Sequence, residues 1–181
     1  MAKTYTAAGS ATAGEVYTAS AHNVIVTDVN NFIVPPMVRL KKTTTQSLTS
    51  STWTYVQWDE DFDTDNMFSS GANTEIVFDT AGVYMVSTVV RFNTNGTGIR
   101  LLSAAKNPTS ASFTDTFMGS WAPAYAGAET VLSCSSLVSL AAGDKIRVMV
   151  FQSSGGALTI GAIPSYTNDT HFSAVWVGRT S

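Results

Sequence analysis

Val83-Tyr84-Met85-Val86-Ser87-Thr88-Val89-Val90-Arg91-Phe92 is the stretch on which the fold turns. Successive side chains of a strand point to opposite faces. Tyr84, Val86, Thr88, Val90 and Phe92 therefore share one face, and Val83, Met85, Ser87, Val89 and Arg91 share the other. Both faces are largely apolar. Asp144–Gln152 repeats the pattern, with Ile146, Val148 and Val150 opposite Met149 and Phe151. So does the last strand-like run, with Phe172, Ala174 and Trp176 opposite Val175 and Val177. A two-layer sandwich buries only one face of each strand, so the second face calls for a cover. Another copy of the same chain is the simplest cover. The residues expected at such a self-interface are Tyr84, Met85, Val89, Met149, Phe151, Val175 and Val177.

Outward from these strands, turn residues punctuate the chain: Ser69-Ser70-Gly71, Asn93-Thr94-Asn95-Gly96, Lys106-Asn107-Pro108, Ala142-Gly143-Asp144 and Ser153-Ser154-Gly155-Gly156. They separate ten candidate strands, at 37–42, 53–58, 75–79, 83–93, 98–104, 113–121, 129–140, 144–152, 157–161 and 171–178. Short strands between Gly, Asn, Ser and Pro turns specify an antiparallel sandwich rather than βαβ units. Residues 37–181 thus read as one all-β domain of ten strands.

Residues 1–36 form a separate arm. Positions 4–21 are small and polar, 23–33 are apolar, and Pro35-Pro36 makes a stiff joint to the domain. Ile25, Val29, Phe32 and Ile33 have helical spacing, whereas Val24, Val26 and Val29 are β-branched, so helix and strand both fit. Too short to fold alone, the arm must dock on something, with Val24, Ile25, Val29, Phe32 and Ile33 as the expected contacts.

Composition narrows the function. Charged residues are 13% of the 181, about half the share in an ordinary soluble domain, and the polar remainder is mostly Ser, Thr, Asn and Gly. With ten Lys plus Arg and a net charge of −3, the electrostatic footprint of a nucleic-acid binder is missing. Arg39, Lys41 and Lys42 lie in a strand and are expected to decorate an edge. Cys134 is the only cysteine, which excludes an intrachain disulfide and a multi-thiolate zinc site and reads as a buried inert thiol. The opening Met1-Ala2-Lys3-Thr4-Tyr5 lacks an apolar leader core, and no run of about 18 apolar residues occurs. The expectation is a protein made in the cytosol without export and not inserted in a membrane, which leaves a final place outside the cell open to a component of a particle released by lysis.

Catalytic patterns are sparse. His22 and His171 are the only histidines, and nucleophile elbow, phosphate-binding loop and His-Glu-x-x-His are all missing. Asp59-Glu60-Asp61-Phe62-Asp63-Thr64-Asp65-Asn66 has the density of carboxylates that calcium favours. Counted from Asp59, Asp61 or Asp63, however, the twelfth residue is Ser70, Ala72 or Thr74 rather than Glu. The run is expected to be a solvated loop whose acids keep an edge from pairing. No cofactor, metal or catalytic residue is expected. Asn95-Gly96-Thr97 and Asn168-Asp169-Thr170 match a glycosylation triplet but serve as turns in a chain without a leader. Trp53, Tyr55, Trp58, Trp121, Tyr125 and Tyr166 could stack on sugars or pack in the fold.

Two resemblances run across these features. Trp53-Thr54-Tyr55-Val56-Gln57-Trp58, Phe62-Asp63-Thr64, Thr80-Ala81-Gly82-Val83-Tyr84-Met85-Val86, Leu140-Ala141-Ala142-Gly143-Asp144-Lys145-Ile146 and His171-Phe172-Ser173-Ala174-Val175-Trp176-Val177-Gly178 are spread over 37–181. Together they resemble the trimeric jelly roll of tumour necrosis factor and of the globular head of complement's first component. Ala174 stands where that pattern usually has Gly. The resemblance implies a threefold homotrimer closed through strand faces. Ala13-Gly14-Glu15-Val16-Tyr17-Thr18-Ala19-Ser20-Ala21-His22-Asn23 is similar to an opening found in tail-associated and surface proteins of phages infecting actinobacteria. It implies a virion location: a minor tail component, capsid decoration or fibre, held to other virion proteins through residues 1–36. Its outward knob would be placed to contact a host-surface glycan. The rival readings are a carbohydrate-binding or adhesion module and a particle-borne polysaccharide hydrolase.

Overall fold

The computed structural model describes residues 18–161 and 170–179. Residues 13–17 of the phage-like opening, Tyr166 and the Asn168-Asp169 pair lie outside them. After one helix, α1 (Ala19–Ile33), the described chain runs through β1 (Met37–Lys41), β2 (Gln46–Leu48), β3 (Thr54–Tyr55), β4 (Asp59–Asp63), β5 (Ile76–Phe78) and β6 (Gly82–Phe92). It continues with β7 (Ile99–Lys106), β8 (Thr116–Pro123), β9 (Thr130–Leu140), β10 (Asp144–Gln152), β11 (Leu158–Ile160) and β12 (His171–Gly178). The apolar segment of the arm is a helix, consistent with its i, i+4 spacing.

All strand pairings are antiparallel and form two sheets. The seven-stranded sheet has the order β2-β11-β6-β12-β1-β4, with β9 along the free side of β6. The five-stranded sheet has the order β3-β10-β7-β8, with β5 also on β10. Between them lies a core of Val38, Leu40, Trp58, Ile76, Phe78, Tyr84, Val86, Val90, Phe92, Leu102, Ile146, Val148, Val150, Phe172 and Trp176. The fold is the expected all-β jelly-roll sandwich.

Two strands beyond the expected ten are β2 and β4, and β4 corrects the reading of the acidic run. Asp59–Asp63 is a strand rather than a loop, paired with β1. Its acids are matched by β1: Lys41 Nζ donates to Asp61 at 2.6 Å and Arg39 Nε lies 3.6 Å from the same carboxylate. Opposite charges across a strand pair favour pairing where a run of acids alone would disfavour it. In consequence Arg39 and Lys41 lie on an interior strand, between β12 and β4, and the edge belongs to the acids. The expected strand at 113–121 also shifts. Phe113–Asp115 is a 3-10 turn and the strand starts at Thr116.

Candidate assembly face

Register decides what the outer face of the seven-stranded sheet presents. Met37 lies opposite Val175, Val175 opposite Met85, and Met85 opposite Leu137. These four residues make one apolar row across β1, β12, β6 and β9. Met85 is 42% exposed and Leu137 62%, and Val177, two residues beyond Val175, is 53% exposed. The adjacent row, Arg39-Ser173-Ser87-Ser135, is polar throughout. The one after it, Lys41-His171-Val89-Ser133, carries Val89 as its single apolar member. The longest apolar row of this face is therefore at the end where β1 begins, with Phe62 beside Arg39 and Val131 beside Arg91 as exposed apolar residues outside it. An aligned row of large apolar side chains open to water is what a protein contact requires.

The expected interface residues divide among three places. Met85, Val89, Val175 and Val177 all belong to this outer face. Tyr84 does not, and is corrected. Its ring is fully buried 4.8 Å from that of Phe78, edge to face, and its hydroxyl donates to the Thr80 carbonyl at 2.7 Å. Alternation along β6 forces this, because Tyr84 and Met85 cannot share a face.

Met149 and Phe151 point outward from the other sheet, and the chain covers them itself. Met149 is fully buried, between Tyr55 of β3 and Ser103 of β7. Trp53 packs 5.5 Å from Phe151 on one side and stacks 5.9 Å from Phe113 on the other. Arg147 lies over the Tyr55 ring at 4.9 Å and pairs with Glu75, which also takes Lys145 Nζ at 3.0 Å. These hydrogen bonds, from Arg147 first and Lys145 second, hold the Glu75 carboxyl below its ordinary value. The second apolar face of β10 thus has an intrachain cover and needs no partner there.

The face contacts missed in the sequence are Met37 and Leu137. Only their alignment with Met85 gives them meaning, and that follows from strand order, not from local pattern.

The acids that suggested calcium are committed elsewhere. Asp59 accepts from the Thr43 amide and hydroxyl, and Asp63 from the amides of Asp65 and Phe68. Asp65 is buried and accepts from the Thr80 hydroxyl at 2.7 Å. Among the described residues no three of His, Cys, Asp and Glu converge as a metal set. Cys134 lies on the inner face of β9, and burial pushes its thiol up to about 11. Of the aromatics considered for sugar stacking, Trp58 is buried and Trp53 and Tyr55 are engaged as above. Trp121 and Tyr125 remain 68% and 67% exposed. Of the arm residues, Ile25, Val29 and Ile33 are exposed along α1. The side chains of Val24 and Phe32 are not among those described.

No family model and no curated protein matches the chain. Solved structures do. Murine APRIL at pH 5.0 superposes with a TM-score of 0.61 at 13% identity, over 78% of this chain and 98% of that one. The Eiger TNF from S. frugiperda gives 0.57 at 13%, over 81% and 96%. The globular domain of zebrafish complement 1qA gives 0.55 at 14%, over 80% and 99%. The fold is that of the tumour necrosis factor and complement 1q globular domains. At such identities the likeness concerns the fold alone, and the assembly must be argued from the chain's own faces.

Proposed function

We propose that this tumour necrosis factor–like domain is a structural subunit of a virus particle: a homotrimeric surface knob, carried by its N-terminal arm, and not a catalyst. The observation that carries the assembly is the Met37-Val175-Met85-Leu137 row. It leaves an apolar band uncovered in a chain that covers the corresponding face of its other sheet with its own aromatics. Three copies packed through this face would bury the band and leave the five-stranded sheets outward. The likeness to the trimeric jelly-roll family supports three as the number of copies.

The virion setting is supported by the similarity of the opening Ala13–Asn23 stretch to phage tail and surface proteins, and the arm would hold the trimer to other virion proteins. Mass measurement in solution tests the assembly, and a monomer at micromolar concentration refutes it. Labelling particles with an antibody to the domain tests the setting, and particles that bind no antibody refute it.

A glycan-contact reading is favoured by one further observation. Trp121 is in the half of β8 farthest from the start of β1, and Tyr125 follows in the β8–β9 loop, bonded near Gly98 through the Ala124 amide. This is the end away from the arm, where a bound sugar would be reachable. A glycan array separates this activity from a purely structural knob.

A further inference from the structure

We infer that α1 is an assembly element in its own right: three copies pack together through the stripe Ile25-Val29-Ile33 and form a helical stalk at the base of the knob. The inference rests on the trimer reading and adds a second, separate contact to it.

Ile25, Val29 and Ile33 are spaced four apart and Val26 lies beside them, so at 3.6 residues per turn they fall within an arc of roughly 100°. They are 40%, 49%, 70% and, for Val26, 42% exposed. The positions opposite are Ser20, Thr27 and Asn31 together with Val24; Asn23 and Asn30 flank the stripe, and Asp28 is the only Asp, Glu, Lys or Arg in the helix. A 15-residue helix is marginal in water by itself and depends on burial of its apolar stripe. Something must cover it.

The joint to the domain says what. Val34-Pro35-Pro36 connects α1 to β1, and this short connection is fastened to the sheet. The Pro36 carbonyl accepts from the Trp176 amide at 2.9 Å, the Pro35 carbonyl from the Thr64 hydroxyl at 2.9 Å, and the Met37 amide donates to that same hydroxyl at 2.9 Å. The next residue, Met37, is the first member of the apolar row. Copies that meet through that row bring their helix roots together at three fixed points. Tethering raises the local concentration of the helices to a level of roughly millimolar, so weak packing between them becomes favourable. Ile25, Val26, Val29 and Ile33 carry no charge, and the one titratable residue at the angle of the stripe, His22, lies near the end of the helix away from the domain. A stalk of this kind would leave the residues before α1 to contact the particle.

The test is cysteine crosslinking in the full chain. Val29→Cys and Thr27→Cys are made separately, with the unchanged chain as control for the half-buried Cys134. Each is treated with a short trismaleimide, whose three arms can take one thiol from each of three subunits, and its mass in solution is measured in parallel. The expected result is a trimer by mass with covalent trimers from Val29→Cys at least about fivefold above those from Thr27→Cys. A trimer by mass with equal yields, no product, or product stopping at two subunits overturns the stalk and leaves the knob trimer standing, with the stripe free for another virion protein. A monomer by mass overturns both.

Discussion

Asp placed at Met85 and Asp placed at Met149 give opposite outcomes if the two sheets differ as described. Both are methionines on outward faces, but Met85 is 42% exposed and Met149 is fully buried beneath the chain's own residues. Full burial of a Met side chain contributes roughly 1.5–3 kcal/mol, so the part of Met85 left open in one subunit corresponds to about 1 kcal/mol on assembly. An aspartate enclosed there without a cation would cost about 3 kcal/mol more. Arg39, one row away, offsets part of this. Even about 2 kcal/mol per subunit sums to about 6 kcal/mol per trimer, more than four decades in the association constant. In the isolated subunit the same carboxylate stands in water and costs little. Met85→Asp is therefore expected to elute as a folded monomer, with its β-rich circular dichroism intact. Met149→Asp buries the charge within one chain and, at several kcal/mol against a total stability of about 5–15, is expected to unfold it. Light scattering after size exclusion, with a thermal melt of each variant, reads both. A Met85→Asp chain that stays trimeric with an unchanged melt refutes the assembly face.

Glu75→Gln should flatten the acid side of the stability curve. Its folded value is held below the ordinary 4.5, so its contribution is present above that pH and lost as pH falls through the lowered value. Urea midpoints at pH 7 and pH 3 should differ less in the variant, and an equal difference counts against the Arg147 and Lys145 bonds. Lys42 is 4% exposed, donates to the Gln57 carbonyl at 2.9 Å, and is lowered by burial despite the nearby Asp59. Keeping it charged inside costs stability, a cost that fades as pH rises from the lowered folded value to the unfolded 10.5. Lys42→Met should match or exceed the parent at pH 7, with its advantage shrinking by pH 10; a variant less stable at both pH values argues that the Gln57 bond dominates. Arg100 is fully buried, and its guanidinium donates to the carbonyls of Asn95, Thr97 and Ile99. Arg100→Met should cost about 2–3 kcal/mol and speed amide exchange in residues 94–98, and unchanged exchange there rejects the clamp.

The alternation of β6, β10 and β12 was enough to read the sandwich and its inner faces, since a strand's period of two admits one solution once a core face exists. It was not enough to read what lies on the outer faces. Met85 and Met149 look alike in sequence, and what separates them is chain from far away: β3 sets Tyr55 beside Met149, and Trp53, met by Phe113, packs on the neighbouring Phe151. The acidic run failed for a related reason. Read alone, Asp59–Asp63 repels itself, but the Arg39 and Lys41 side chains that neutralise it are about 20 residues away. Assigning Tyr84 to the interface overlooked the constraint that its neighbour Met85 already satisfied. Whatever depended on one strand was legible. Whatever depended on which strands are neighbours was not.

The fastening of Pro35-Pro36 also fixes how the domain would carry a mechanical load. β1 enters the sheet at Met37 and is hydrogen-bonded on both sides, to β12 and to β4. A pull from the loops at the far end, opposed by the arm, runs along β1, and antiparallel ladder bonds lie perpendicular to that direction. Both ladders are then strained in shear, their bonds resisting together and not parting one at a time as they would if peeled from Met37. A domain tethered at the start of a strand that is flanked on both sides is thereby built to withstand traction from its exposed end.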